Sequence, residues 1–438
     1  MAVRYHRDSL HIAIHRHLDM RFVLILLLGL LTACTSTPLR TERPAPLLLI
    51  SIDAFRPDYL ERGLTPTLSA VARDGVRARW MQSSFPSLTF PNHYTLVTGK
   101  WPDHHGIVNN TMTDPDIPGV RFSIGNVDAV GDPRWWSQAV PVWVTAHQAG
   151  LRTATLFWPG SEAPNQGVRP DDWLKYDKTL TGVDRVDKLL GWLRRPPATR
   201  PDFITLYLDA VDIAGHDAGP DSPQVDGTLR DVDSVLARLF AGIRELKMEG
   251  RINIVIVSDH GMAAVAPDHV IVIDDVVPAD AIEPPVAGVV AGITPKLGME
   301  AAVAGTVLAS KAAWQCWPKA EMPARFHYGS NSRIPPLVCL ANEGWSSANR
   351  EWLARGNHVK AGAHGYDPEL PSMRALFLAT GPAFAHGRVI APFDNVDIYP
   401  MLARLLGLQP LPGDGAPDLL ERVAPEARIE AVPGHHPS

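Results

Sequence analysis

The chain has 438 residues, 45% hydrophobic and 20% charged, which is ordinary globular composition with ample apolar material for a core. Its net charge of −6 leaves no basic surface to suggest nucleic-acid binding. Three cysteines against 17 histidines and 47 acidic residues exclude a thiolate metal centre, so any metal site must use oxygen and imidazole ligands.

The N-terminus reads as a targeting segment. Arg21 precedes the apolar run Phe22 to Leu31, which is too short to span a bilayer comfortably and suits a signal h-region. The run ends in Leu31-Thr32-Ala33-Cys34, which resembles a bacterial lipoprotein signal with Cys34 as the lipidated first residue. Residues 1–33 are then signal, with Met20 as an alternative start, and residues 34–44 are linker. This predicts an exported protein, periplasmic or on the outer membrane and attached through Cys34. Cys316 and Cys339 remain, and an oxidising compartment predicts a disulfide between them.

From residue 46 the pattern alternates between strand and helix, predicting one catalytic domain over residues 45–424. Leu47 to Ile52 is an apolar run ending at Asp53. Thr65 to Asp74 has a helical pattern. The hydroxyl-rich, proline-punctuated loop from Ser83 leads to an expected helix at Tyr94 to Thr98. Phe203 to Leu208 is a second apolar run, leading toward Asp212, and Thr228 to Lys247 is again helical. Ile252 to Val257 is a third run, followed by Ser258-Asp259-His260-Gly261. Strands with little alternation belong to a sheet covered on both faces, hence mostly parallel, and the whole predicts a doubly wound α/β fold. Residues 263–360, proline-rich and less regular, read as an insertion. Asn395 to Leu408 reads as a C-terminal helix, and residues 425–438 as a loose tail.

Asp53, Asp212 and Asp259-His260 all follow the C-terminal ends of apolar strands, where open α/β sheets bind ligands. Asp212 and His216 are spaced i, i+4, so one turn can aim both at a metal, although Asp209 and Asp217 compete in the same stretch. His364 lies among glycines in Gly362-Ala363-His364-Gly365. Ahead of a helix, the loop around Thr89 suits a phosphate, since helix N-termini carry unpaired N–H groups. A threonine hydroxyl attacks only when a base or metal activates it. Taken alone, each signal fits a solvated loop or an N-cap as readily as a site.

Together they resemble the nucleotide pyrophosphatase/phosphodiesterase branch of the alkaline phosphatase superfamily. The matching stretches are Ile52 to Arg56, Phe85 to Tyr94, Gly106 to Asn110, Asp212 to Pro220, Ser258 to Met262 and His364 to Asp367, in the family's order. The resemblance implies a three-layer α/β/α fold with a mostly parallel central sheet and two zinc ions per chain. Asp212, His216 and His364 would hold one ion. Asp53, Asp259 and His260 would hold the other, with Thr89 as fourth ligand and nucleophile. Asn110 would hold a non-bridging phosphate oxygen. Phe90 would line an apolar slot for a small nucleotide or other phosphodiester, Tyr176 and Tyr207 would border the base, and Phe122 would close the far side. Ala363 departs from the asparagine often found before the last histidine, which bears on support for His364 rather than on ligation.

The implied reaction releases nucleoside 5'-monophosphates through a phospho-Thr89 intermediate, in a monomer. Alternatives are phosphomonoester or choline-type phosphodiester hydrolysis on the same scaffold, or a lipoprotein that binds zinc without catalysis. A sulfatase would need a Cys/Ser-x-Pro-x-Arg motif, and none stands near Thr89.

Overall fold

The computed structural model describes residues 43–425. The expected signal with Cys34, most of the linker and residues 426–438 of the expected tail lie outside the described residues.

Eight strands form the central sheet: β1 (Leu47–Ile52), β2 (Val76–Ala78), β3 (Thr153–Leu156), β4 (Asp172–Leu174), β5 (Phe203–Leu208), β6 (Asn253–Val257), β7 (Phe377–Thr380) and β8 (Arg388–Ile390). Their order is β8-β2-β7-β6-β1-β5-β3-β4, and only β7 runs antiparallel to its neighbours. The apolar runs are explained by burial on both faces. In β1, Leu47 and Leu49 enter one buried cluster, while Leu48, Ile50 and Ile52 enter another. In β6, Val255 and Val257 join the first cluster, and Ile254 and Ile256 the second. Alternate side chains thus feed two separate cores, which makes the fold a three-layer α/β/α arrangement.

The second core is closed by α1 (Pro66–Asp74), α3 (Gly182–Leu193) and α5 (Pro223–Glu245). Helix α5 carries Leu229, Val232, Leu236, Leu239 and Ile243 at three- and four-residue spacing, all buried there. It starts ahead of the expected Thr228 because Ser222 accepts a bond from Val225 N–H and Pro223 occupies the first turn. The first core is closed by α2 (Thr89–Thr98) and by Ile398–Leu405, which follows a 3-10 turn at Asn395–Asp397. Helix α2 begins at Thr89 rather than Tyr94. Pro91 sits in its first turn, where a missing N–H breaks no helical bond.

Residues 263–360 are more regular than their prolines suggest. They include a three-stranded antiparallel sheet, Val290–Ile293, Leu337–Ala341 and Trp314–Pro318, with Leu337–Ala341 in the middle. Cys316 and Cys339 face each other in register on two of these strands and form a disulfide, with Cα atoms 4.0 Å apart.

Candidate active site

Register brings the site together. Ile52 pairs with Leu208, and Ser51 pairs with both Tyr207 and Val257, so β1, β5 and β6 end side by side. Asp53 follows β1, Asp259 and His260 follow β6 after Ser258, and β5 leads into α4 (Ala210–Ala218), which carries Asp212 and His216. At the turn after β1, Ala54 takes φ 58°, a left-handed conformation unusual for alanine, and its N–H reaches Asp259 Oδ1 at 3.3 Å.

Thr89 is the first residue of α2, and its hydroxyl lies 3.3 Å from His260 Nε2. His260 Nε2 is 2.9 Å from Asp259 Oδ2 and 3.6 Å from Asp53 Oδ1. On the other side, Asp212 Oδ1 lies 3.5 Å from the Nε2 atoms of both His216 and His364. Those two nitrogens are 3.1 Å apart. Asn110 Oδ1 accepts the Phe90 N–H at 2.9 Å, and among the described residues its NH₂ has no partner.

The arrangement fits a divalent cation. His216 Nδ1 is 2.7 Å from the Gly362 carbonyl and His364 Nδ1 is 3.0 Å from the Ser87 carbonyl, so each ring donates there. Their Nε2 atoms are left as two acceptors facing one another, which only a cation or a proton between them relieves. Buried oxygens of Asp53 (Oδ1) and Asp212 (Oδ1) have no hydrogen-bond partner, and Asp259 Oδ2 faces only the imidazole nitrogens of His260 and His93. Ligand atoms converge in three overlapping groups: Asp212, His216 and His364; Asp53, Asp212 and His260; and Asp53, His93 and Asp259. Oxygen and imidazole donors in this number suit zinc and similar divalent ions.

Electrostatics point the same way. Burial, with Asp259 and Asp212 nearby, holds the Asp53 carboxyl well above the usual carboxylate range. Burial also raises Asp212. For Asp259 burial works upward, but His260 and His93 outweigh it and hold the group well down. Burial and the neighbouring His260 and His216 push His364 well below the usual histidine range. A metal-free site therefore sets carboxylates and imidazoles against one another, and bound cations would relieve that.

Several placements were not evident from sequence. His93 is fully buried, with Nδ1 2.9 Å from the Thr89 carbonyl and 3.3 Å from Asp259 Oδ2, and Nε2 2.8 Å from Ser51 Oγ. It supports Asp259 from behind, joining β1, α2 and β6. Of the competing acids, Asp209 pairs with Arg185 at 3.0 Å and Asp217 with Lys360 at 2.6 Å. The departure at Ala363 leaves His364 supported by the Ser87 carbonyl instead of a side chain.

A cavity of about 280 Å³ opens on Thr89 and is lined by Asp53, Phe90, Tyr176, Tyr207 and Asp212 among others. Tyr176 is half-exposed and its hydroxyl donates to Asp209 Oδ2 at 2.5 Å. Tyr207 spends its hydroxyl on Asp53 Oδ2 at 2.5 Å, with its ring edge-on to His93. Phe122 differs from its expected place. It is fully buried behind Phe90, ring centroids 6.0 Å apart, and so backs the slot without lining it. Lys175 also lines the cavity, so the Thr89 surroundings are less free of cations than the sequence suggests. Glu162 and Asp209 line it too and leave no surplus positive charge.

A profile of type I phosphodiesterases / nucleotide pyrophosphatases matches residues 47–367, which include every residue of this site. The chain belongs to that family. It is 36% identical over 382 residues to an uncharacterized pyrophosphatase/phosphodiesterase of Schizosaccharomyces pombe, covering 84% of this chain and 78% of that protein. It is 35% identical to the bis(5'-adenosyl)-triphosphatase ENPP4 of Bos taurus, covering 90% and 85% respectively. It spans only 47% of the venom phosphodiesterase of Crotalus durissus collilineatus. Among solved structures, murine ectonucleotide pyrophosphatase / phosphodiesterase 5, in an inactive threonine-to-alanine form with AMP, superposes with a TM-score of 0.82 at 32% identity. That match covers 86% of this chain and 100% of the murine chain. Family and fold thus agree with the sequence reading.

Proposed function

We propose that this chain hydrolyses nucleotide phosphodiester and pyrophosphate bonds, releasing nucleoside 5'-monophosphates, with Thr89 as nucleophile. The observation that carries this is the Thr89 hydroxyl at the start of α2, 3.3 Å from His260 and beside three overlapping groups of convergent carboxylate and imidazole ligands. Family membership and the inactive threonine-to-alanine form of the murine relative support the same reading.

Two zinc ions are the cofactors proposed, one on Asp212, His216 and His364 and one on Asp53, Asp259, His260 and Thr89. When bound, such ions acidify a coordinated hydroxyl and neutralise charge on phosphoryl oxygens. The protein's own groups do the rest. The Thr89 backbone N–H, at the positive end of the α2 dipole, faces the phosphoryl group, since Asn110 holds the Phe90 N–H and Pro91 has none. The Asn110 NH₂, held by its Oδ1 bond to Phe90 N–H, donates to a non-bridging oxygen as charge builds there. Thr89 Oγ forms a bond to phosphorus as the bond to the leaving oxygen breaks. Water then displaces Thr89 and frees the nucleoside monophosphate. His93 keeps Asp259 oriented throughout.

The pocket favours diesters. A monoester dianion carries one more negative charge, and the cavity offers Lys175 against Glu162 and Asp209. Phe90 gives the ester substituent an apolar wall. The test compares rates on the p-nitrophenyl ester of a nucleoside monophosphate, p-nitrophenyl phosphate and p-nitrophenyl phosphorylcholine. The nucleoside ester should be cleaved far faster, and Phe90→Ala should narrow the gap. ATP should yield AMP and pyrophosphate. Faster cleavage of p-nitrophenyl phosphate, or orthophosphate as the first product from ATP, would contradict the reading.

A further inference from the structure

The segment of residues 84–88 serves both halves of the site. Leu88 leads directly into Thr89 at the start of α2, and the Ser87 carbonyl takes the Nδ1–H of His364 at 3.0 Å. The conformation of this segment therefore fixes where the Thr89 hydroxyl stands and how the His364 ring is turned.

No side chain caps α2 at Leu88, and a residue one turn further on holds the segment instead. Asn92 is fully buried. Its Oδ1 accepts the Ser84 N–H at 2.7 Å and an Asn395 Nδ2–H at 2.8 Å. Its Nδ2 donates to the Pro86 carbonyl at 2.9 Å and the Leu88 carbonyl at 2.8 Å. An amide has two donors and two acceptor lone pairs, so every capacity is used. The partners also fix which way the amide points, because a backbone N–H only donates and a carbonyl only accepts. Asn395 Oδ1 in turn accepts the Ser84 hydroxyl at 2.6 Å. Asparagine is a weak helix former and a buried amide is costly to desolvate, so what Asn92 contributes to α2 is these bonds. They hold Ser84, Pro86 and Leu88, and Ser87 lies between the last two. The carbonyl that orients His364 is thus pinned on either side by the side chain that anchors the approach to Thr89.

We propose that Asn92 is a positioning residue for both the nucleophile and the His364 imidazole, acting through residues 84–88. The Thr89 arm rests on the function proposed above, whereas the His364 arm requires only that the ring binds metal.

The test compares Asn92→Ala with Leu239→Ala, which opens a cavity in the second core and so controls for lost stability alone. Rates are taken on the p-nitrophenyl ester of AMP at a temperature where both variants are folded. Zinc affinity is measured by calorimetric titration of the metal-free proteins. Asn92→Ala should lower kcat about a hundredfold with KM little altered, because misplacing a reacting group costs rate more than binding. It should also weaken zinc about tenfold through the lost support of His364. Leu239→Ala should match the wild type in both. Ser84→Ala removes only the hydroxyl bond to Asn395 and should lower kcat about threefold, which carries the test if Asn92→Ala does not fold. Undiminished kcat or undiminished zinc affinity in Asn92→Ala relative to Leu239→Ala, or wild-type kcat in Ser84→Ala, would overturn the proposal. If the wild-type protein did not cleave the ester, the hydrolysis reading would fail, and the zinc titration would still decide the hold on His364.

Discussion

The Nε2 atoms of His216 and His364 lie 3.1 Å apart while each ring turns Nδ1 to a backbone carbonyl. Two lone pairs so placed repel unless a cation joins them. The same edge of the sheet holds two buried carboxylate oxygens without partners, on Asp53 and Asp212. Exhaustive chelation should therefore abolish activity and lower Tm by several degrees, because a ligand bound only by the native state stabilises it. Zinc should restore both better than magnesium, given the imidazole ligands. Full activity in protein shown metal-free by elemental analysis would sink the metal-centred account.

Protons compete with the metal in a signed way. Asp53 and Asp212 have raised folded-state values in the metal-free protein, both chiefly through burial. They hold protons to higher pH than ordinary aspartates, so these must leave when metal binds. Metal affinity should fall as pH drops from neutral toward 5, and binding should release protons. Calorimetry in buffers of different ionisation enthalpy measures that release. Proton uptake on binding would contradict the assignment of these carboxylates as ligands.

Gly362 is a close-approach position. A Cβ there would lie 2.2 Å from the Gly215 carbonyl oxygen, backbone against backbone. Its own carbonyl orients His216, and His364 follows two residues later. Gly362→Ala should cost about 1–3 kcal/mol of stability through overpacking and weaken metal binding by about 10–100-fold. Thermal unfolding together with zinc titration checks both. Wild-type zinc affinity in Gly362→Ala would show that this packing does not set the ligand geometry.

The disulfide closes a sequence separation of 23 residues, which by loop entropy is worth about 3 kcal/mol. Neither sulfur belongs to the site. The double variant Cys316→Ala, Cys339→Ala should lose stability of that order while retaining kcat. Non-reducing peptide mapping of the wild-type protein should recover the linked pair.

The three strands that build the site were legible because burial on both faces writes them as unbroken apolar runs, and Asp53, Asp212 and Asp259 stand where those runs stop. The start of α2 was not legible, because Pro91 reads as a breaker unless its first-turn position is known. His93 gave no signal of its own. Its meaning comes from Ser51, 42 residues earlier, and Asp259, 166 residues later, which only the fold brings to it. Tyr207 and Phe122 show the matching limit for aromatics. Sequence marks them as large and apolar, but the register of β5 aims the Tyr207 hydroxyl at Asp53, and packing under Phe90 buries Phe122. The small sheet around Leu337–Ala341 was hidden by its prolines, whereas its disulfide was visible from the cysteine count.

The most direct test of the central claim is kcat for Thr89→Ala, measured on the p-nitrophenyl ester of AMP with metal content determined in the same sample. The account predicts retained metal and a loss of roughly a thousandfold or more in kcat, with Thr89→Ser keeping part of the rate because the hydroxyl remains. A Thr89→Ala protein that kept most of the wild-type kcat would remove Thr89 from the chemistry and contradict the account.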